Sequence, residues 1–128
     1  MKLPTKVHGV LDYLTGVALL IIPPAFNFPD GAASQVPMLL GGGAIAYSLL
    51  TRYEWGLFKL IPMRGHLLLD FLSGVVLALS PWLFGFGSEV WLPHVAVGLF
   101  EIGAALMTES EPRGYRATPG AGSPHPAV

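Results

Sequence analysis

The sequence contains no cysteine. Thiol nucleophiles, disulfides and thiolate metal centres are thereby excluded, and cysteine usage says nothing of redox compartment. Charge is scarce as well. Only 12% of the 128 residues are Asp, Glu, Lys or Arg, about half the roughly 25% usual in a soluble domain. A basic excess is missing too. The net charge is −1, which argues against a nucleic-acid partner, because phosphate binding needs a basic surface. What is present is apolar: 52% of residues are hydrophobic and the mean hydropathy is +0.58. So few charges cannot cover a soluble protein of this size, and the apolar excess is expected to face lipid.

Four stretches approach the ~20 apolar residues that cross a hydrocarbon core. They run from Val7 to Phe28, Val36 to Leu50 (extendable back toward Gly31), His66 to Phe86, and Trp91 to Thr108. The runs are continuous rather than alternating, and four strands cannot close a barrel in lipid, so helices are expected throughout. Pro37 is read as lying near the start of the second helix, where proline is tolerated. The first stretch follows Lys2 as a signal peptide would, but Asp12 interrupts it and no small-residue cleavage site follows. It is expected to be retained.

Lys2 and Lys6 precede the first segment, Arg52, Lys59 and Arg64 separate the second from the third, and Arg113 and Arg116 follow the fourth. All seven basic residues thus fall on one side, while the other two connections offer Asp30 and Glu89. This bias predicts cytoplasmic termini. The central loop, 51–65, mixes Tyr53, Trp55, Leu57 and Phe58 with its cations, as an interfacial anchor does. The tail, 109–128, is rich in Pro, Gly and Ser and is expected to be flexible.

The chain also repeats itself. At an offset of 58, His8 aligns with His66, Asp12 with Asp70, Tyr13 with Phe71, Thr15 with Ser73, Gly16 with Gly74, Pro23 with Pro81 and Phe26 with Phe84. Shifted by two, Val36-Pro37 aligns with Leu92-Pro93. The expected fold is therefore all-α, a four-helix integral membrane bundle over 1–108. Its two tandem hairpins, 7–50 and 66–108, would be related by a pseudo-two-fold axis along the membrane normal, because a unit with two crossings repeats in the same orientation. Ser80-Pro81-Trp82 ends the first helix of the second hairpin and is followed by Leu83-Phe84-Gly85-Phe86. This arrangement resembles the SPW-repeat family of small bacterial and archaeal membrane proteins, built from a two-helix repeat with that tripeptide in its first helix. The first hairpin has Ile22-Pro23-Pro24 there and keeps only the central proline. The resemblance implies the fold and a bacterial or archaeal cytoplasmic membrane, and carries no biochemical activity. Pro81 is expected to bend or end its helix, with Trp82 and Trp91 in an outer aromatic belt.

Ionisable residues within membrane segments are functional suspects by default. Here Asp12, Thr15, Asp70, Ser73 and Glu101 are expected to form one polar layer, a candidate cation or proton site. Asp70 and Glu101 lie at depths differing by only about 3–4 Å at ~1.5 Å per residue. His8 and Asp12, like His66 and Asp70, are four apart and share a helix face. The two histidines are candidate ligands for haem or pigment, while His94 belongs at the opposite end. Gly41, Gly42 and Gly43, with Gly98 and Gly103, mark close helix packing. No nucleophile motif is present, so no catalytic residue, metal or cofactor is assigned. The leading reading is a non-enzymatic structural or accessory membrane component, partnered by lipid and by itself or other membrane subunits. A small transporter or ion-conducting protein using the carboxylate layer is the alternative, followed by a haem- or pigment-binding subunit.

Overall fold

The computed structural model describes residues 2–113. Four helices follow one another: α1 Thr5–Ala25, α2 Ala32–Leu49, α3 Met63–Leu83 and α4 Leu92–Met107. Helix α1 packs along α2 and α3 along α4, giving two hairpins, and α2 also packs against α3. Helices α1 and α3 are each 21 residues long, and both follow a proline, Pro4 or Pro62, held in extended backbone. Their ends are related by the same offset of 58 as the sequence repeat.

Helices α1 and α3 are long and apolar enough to cross a membrane, and only 28% and 33% of their apolar windows is buried within the bundle. Leu14, Ile21, Leu72 and Leu79 point outward. The core of a soluble bundle would hide such side chains, so this distribution is the one expected of helices solvated by lipid.

Close helix approach replaces a large apolar core. A Cβ at Gly41 would stand 2.7 Å from the Gly16 carbonyl oxygen, and one at Gly98 would stand 2.6 Å from that of Gly74. The helices of each hairpin therefore touch backbone to backbone, as small residues permit. Gly43 and Gly103, by contrast, face open space.

The chain segments outside the hairpins meet at one end. The Leu3 amide donates to the Met107 carbonyl at 2.7 Å, and the Glu109 amide donates to the Leu3 carbonyl at 2.9 Å. The Ile61 amide likewise donates to Leu50 and the Arg52 amide to Ile61, both at 2.7 Å. Each hairpin's last helix is thus tied to the strand-like approach of the other's first. Trp55 and Glu54 also reach the start of α1, through the Lys6 carbonyl and the Thr5 hydroxyl. This end carries Lys2, Lys6, Arg52, Lys59, Arg64 and Arg113.

Three details correct the sequence reading. The connection was expected over 51–65, but α3 begins at Met63. Within it Trp55, Leu57, Phe58 and Leu60 are exposed as an interfacial anchor requires, yet Tyr53 is fully buried against the His66 ring. Burial raises the pKa of the Tyr53 phenol, so it stays a neutral ring in that contact. Glu109, assigned by composition to the tail, is buried and bonded to Leu3. The rest of that assignment, from 114 onward, lies outside the described residues.

Pro37 is the third correction. Helix α2 starts at Ala32, so Pro37 falls in its second turn rather than its first. Its missing N–H leaves the Ala33 carbonyl without its helical donor. His94 Nε2–H of α4 donates to that oxygen at 2.8 Å, with Phe28 and Phe86 packed on the imidazole.

Candidate functional site

His8 and Asp12 project from one face of α1, and His66 and Asp70 from one face of α3. Where the faces meet, the pairs cross. His8 Nε2 lies 2.7 Å from Asp70 Oδ2 and 3.0 Å from Asp12 Oδ1. His66 Nε2 lies 2.7 Å from Asp12 Oδ2 and 3.1 Å from Asp70 Oδ2. Both histidines are fully buried, and the two rings meet edge to face with centroids 5.5 Å apart.

The other ring nitrogens are fixed by threonines at the helix C-termini. Thr108 Oγ1 donates to the Ala104 carbonyl at 2.5 Å, and Thr51 Oγ1 donates to the Tyr47 carbonyl at 2.6 Å. A hydroxyl has one proton to give, so each oxygen accepts from the imidazole Nδ1–H beside it: His8 on Thr108 and His66 on Thr51, both at 2.7 Å. Each imidazole therefore presents Nε2 to the carboxylates, either protonated or as a lone pair.

The network is closed on one side and open on the other. Facing α2, the Tyr47 hydroxyl donates to Asp70 Oδ1. The contacts of Thr51 and Thr108, and of Gly41 and Gly98, relate α2 to α4 by 57 residues, rather than the 56 implied by aligning Val36-Pro37 with Leu92-Pro93. Tyr47 then corresponds to Ala104, and Ala44 to Glu101. Alanine leaves vacant beside Asp12 the space that tyrosine fills beside Asp70. A cavity results between α1 and α4, lined by His8, Asp12, Thr15, Asp70, Glu101 and Ala104. Its free space of about 10 Å³ is close to what one water molecule takes. Glu101 Oε2 is buried here without a hydrogen-bond partner among the described residues.

Of the layer expected from sequence, the structure brings together Asp12, Thr15, Asp70 and Glu101. Ser73 does not line the cavity, and it supplies no bond to Glu101 Oε2. His8 and His66 join the layer directly, their Nε2 atoms occupied by carboxylates rather than facing a slot that would admit a macrocycle. His94 lies apart, against Phe28 and Phe86. Sequence reasoning missed Thr51, Thr108 and Tyr47. The available signal was a threonine at each helix end, visible only with the 57-residue register.

The tripeptide Ser80-Pro81-Trp82 has a separate local logic. Pro81 lies inside the last turn of α3 and has no N–H for the Leu77 carbonyl. Ser80 Oγ donates to that same oxygen at 2.7 Å. The serine thus replaces the bond the proline removes, at a fully buried position, where an unmet carbonyl costs about 1–3 kcal/mol. Helix α3 continues to Leu83, so Pro81 does not stop it at once. Trp82 is exposed beside Trp91, with ring centroids 6.5 Å apart. In the first hairpin Ile22 stands where Ser80 does, so the carbonyl freed by Pro23 has no such hydroxyl.

No curated protein and no solved structure matches the chain. The family model of the SPW repeat domain matches residues 6–108, which spans both hairpins together with the tripeptide, and the chain belongs to the SPW repeat family.

Proposed function

We propose that this protein is a non-enzymatic, four-span component of a bacterial or archaeal cytoplasmic membrane, structural or accessory, acting with copies of itself or with other membrane subunits. Its hairpins are related by a pseudo-two-fold axis along the membrane normal. The observation that carries this reading is the reciprocal network of His8, Asp12, His66, Asp70, Thr51 and Thr108, which spends the polar groups of the bundle on joining its two halves. Polar groups used in this way are helix glue. The outward apolar side chains of α1 and α3 support immersion in lipid. The gathering of all described basic residues at the end holding Leu3, the central connection and Thr108 supports cytoplasmic termini. Topology reporters fused at Met1 and Val128 should both read cytoplasm, and a periplasmic signal from either would reverse this orientation.

A conducting protein needs a hydrated route through the bundle. The cavity found beside the carboxylates among the described residues holds about one water, and Leu77 and Leu19 are buried between it and the other end. Purified protein reconstituted into liposomes should therefore leave proton and monovalent-cation flux at the level of empty vesicles. Flux well above that level, lost in Asp70→Asn or Glu101→Gln while the bundle stays folded, would favour the transporter instead.

A further inference from the structure

The crossed network is built like a metal site. Two imidazole nitrogens and two carboxylates from two helices converge so that one ligand atom from each lies within 4.8 Å of the others. Buried acceptors gathered this way, with the Nδ1–H groups already given to threonines, are stable only around protons or a cation. The geometry points to a binding site for one divalent first-row transition-metal ion, held by Nε2 of His8 and His66 and by carboxylate oxygens of Asp12 and Asp70.

Four features support it. Mixed imidazole and carboxylate donors suit the borderline ions of the first row, such as Zn²⁺ and Co²⁺. The charges of the two carboxylates are balanced by one divalent ion, so the buried site stays neutral overall. Bonds of about 2.0–2.2 Å in a tetrahedral site put ligand atoms roughly 3.3–3.6 Å apart, while the four crossing contacts here span 2.7–3.1 Å. Opening the contacts by about 0.2–0.9 Å, the shortest ones most, admits the ion. Finally, each imidazole is already oriented through its far nitrogen, as metal-binding histidines are, and the chain Nδ1–H, threonine hydroxyl, helix carbonyl fixes the tautomer that frees Nε2. The cavity beside Asp12 gives a place for an additional water ligand, and the buried, unpartnered Glu101 Oε2 lies on its wall.

Metal binding does not depend on the accessory reading, and its absence would leave that reading intact. The test uses the full chain, purified in detergent and stripped with a chelator, and Co²⁺ as probe. One equivalent of Co²⁺ per chain should produce saturable visible d–d bands, and Zn²⁺ should abolish them by displacement. Thr108→Val keeps all four ligands but removes one orienting hydroxyl, and should weaken binding about 10–100-fold. Asp12→Asn combined with Asp70→Asn should eliminate the bands. Wild-type protein that gives no saturable band, or bands that persist in the doubly substituted protein, would overturn the assignment. If the double variant fails to fold, imidazole ¹⁵N resonances of the wild type decide: Zn²⁺ should shift Nε2 of both His8 and His66, and unshifted resonances overturn it.

Discussion

Asp70→Ala should destabilise the bundle by about 3–5 kcal/mol, the usual cost of removing one partner from a buried ion pair. The loss falls on several groups at once. Asp70 Oδ2 is shared by His8 and His66, and Oδ1 accepts from Tyr47. Alanine leaves the buried Tyr47 phenol without its acceptor and His8 with only the longer contact to Asp12, and the unmet hydroxyl adds its own desolvation cost. Asp12→Ala should cost distinctly less. Asp12 engages the same two histidines but has alanine, Ala104, where Asp70 has Tyr47, and a cavity in which water can replace the lost oxygen. Asp70→Asn should fall between wild type and alanine, since its carbonyl oxygen still accepts from Tyr47. Unfolding in detergent, followed by helical circular dichroism with chelator present, ranks the three. An Asp12→Ala loss equal to or above that of Asp70→Ala would refute this account of the asymmetry.

That asymmetry also marks how far the sequence was legible. The four segments, the repeat and the family follow from hydropathy, the 58-residue offset and Ser80-Pro81-Trp82, and α1 and α3 keep that offset at both ends. Local spacing correctly puts His8 with Asp12 and His66 with Asp70 on shared helix faces. It does not say which faces meet, because i,i+4 periodicity fixes direction around one helix and nothing about its neighbour. The crossing of the pairs is a tertiary fact. Thr51 and Thr108 were hidden for another reason: Val36-Pro37 and Leu92-Pro93 align well by residue type but are one residue out of register with the contacts. Tyr53 was misread because its loop neighbours are exposed aromatics, and composition does not separate a ring facing lipid headgroups from one facing His66. Ser73 is expected in the layer from its depth on the helix that carries Asp70 and from its alignment with Thr15. The two are equivalent in sequence, yet only Thr15 lines the cavity, because the widened seam lies between α1 and α4.

Gly98→Val should strongly disrupt the second hairpin by overpacking, and Gly41→Val should do the same in the first. In the lipid setting proposed above, apolar burial does not hold helices together, because the surroundings are as apolar as the interface, so close packing has to. At Gly98 even the first added carbon would stand 2.6 Å from both the Ala78 nitrogen and the Gly74 oxygen. At Gly41 it would stand 2.7 Å from the Gly16 oxygen and from Leu19 Cβ. These obstacles are mostly backbone and cannot swing aside, so the helices must separate. Overpacking usually costs about 1–3 kcal/mol, and a branched side chain against helix backbone should reach about 3 kcal/mol or more. Separation of α3 from α4 also moves Thr108 relative to His8, so the polar network should loosen with the packing. Gly103→Ala is the internal control. A Cβ there meets nothing within 4 Å, and alanine in place of a mid-helix glycine should add up to about 1 kcal/mol of stability. Unfolding midpoints in detergent test the set. Comparable losses at Gly98 and Gly103 would mean that glycine content, rather than these two backbone contacts, governs stability, while a tolerated Gly98→Val would remove the close crossing from the account of what holds the hairpin together.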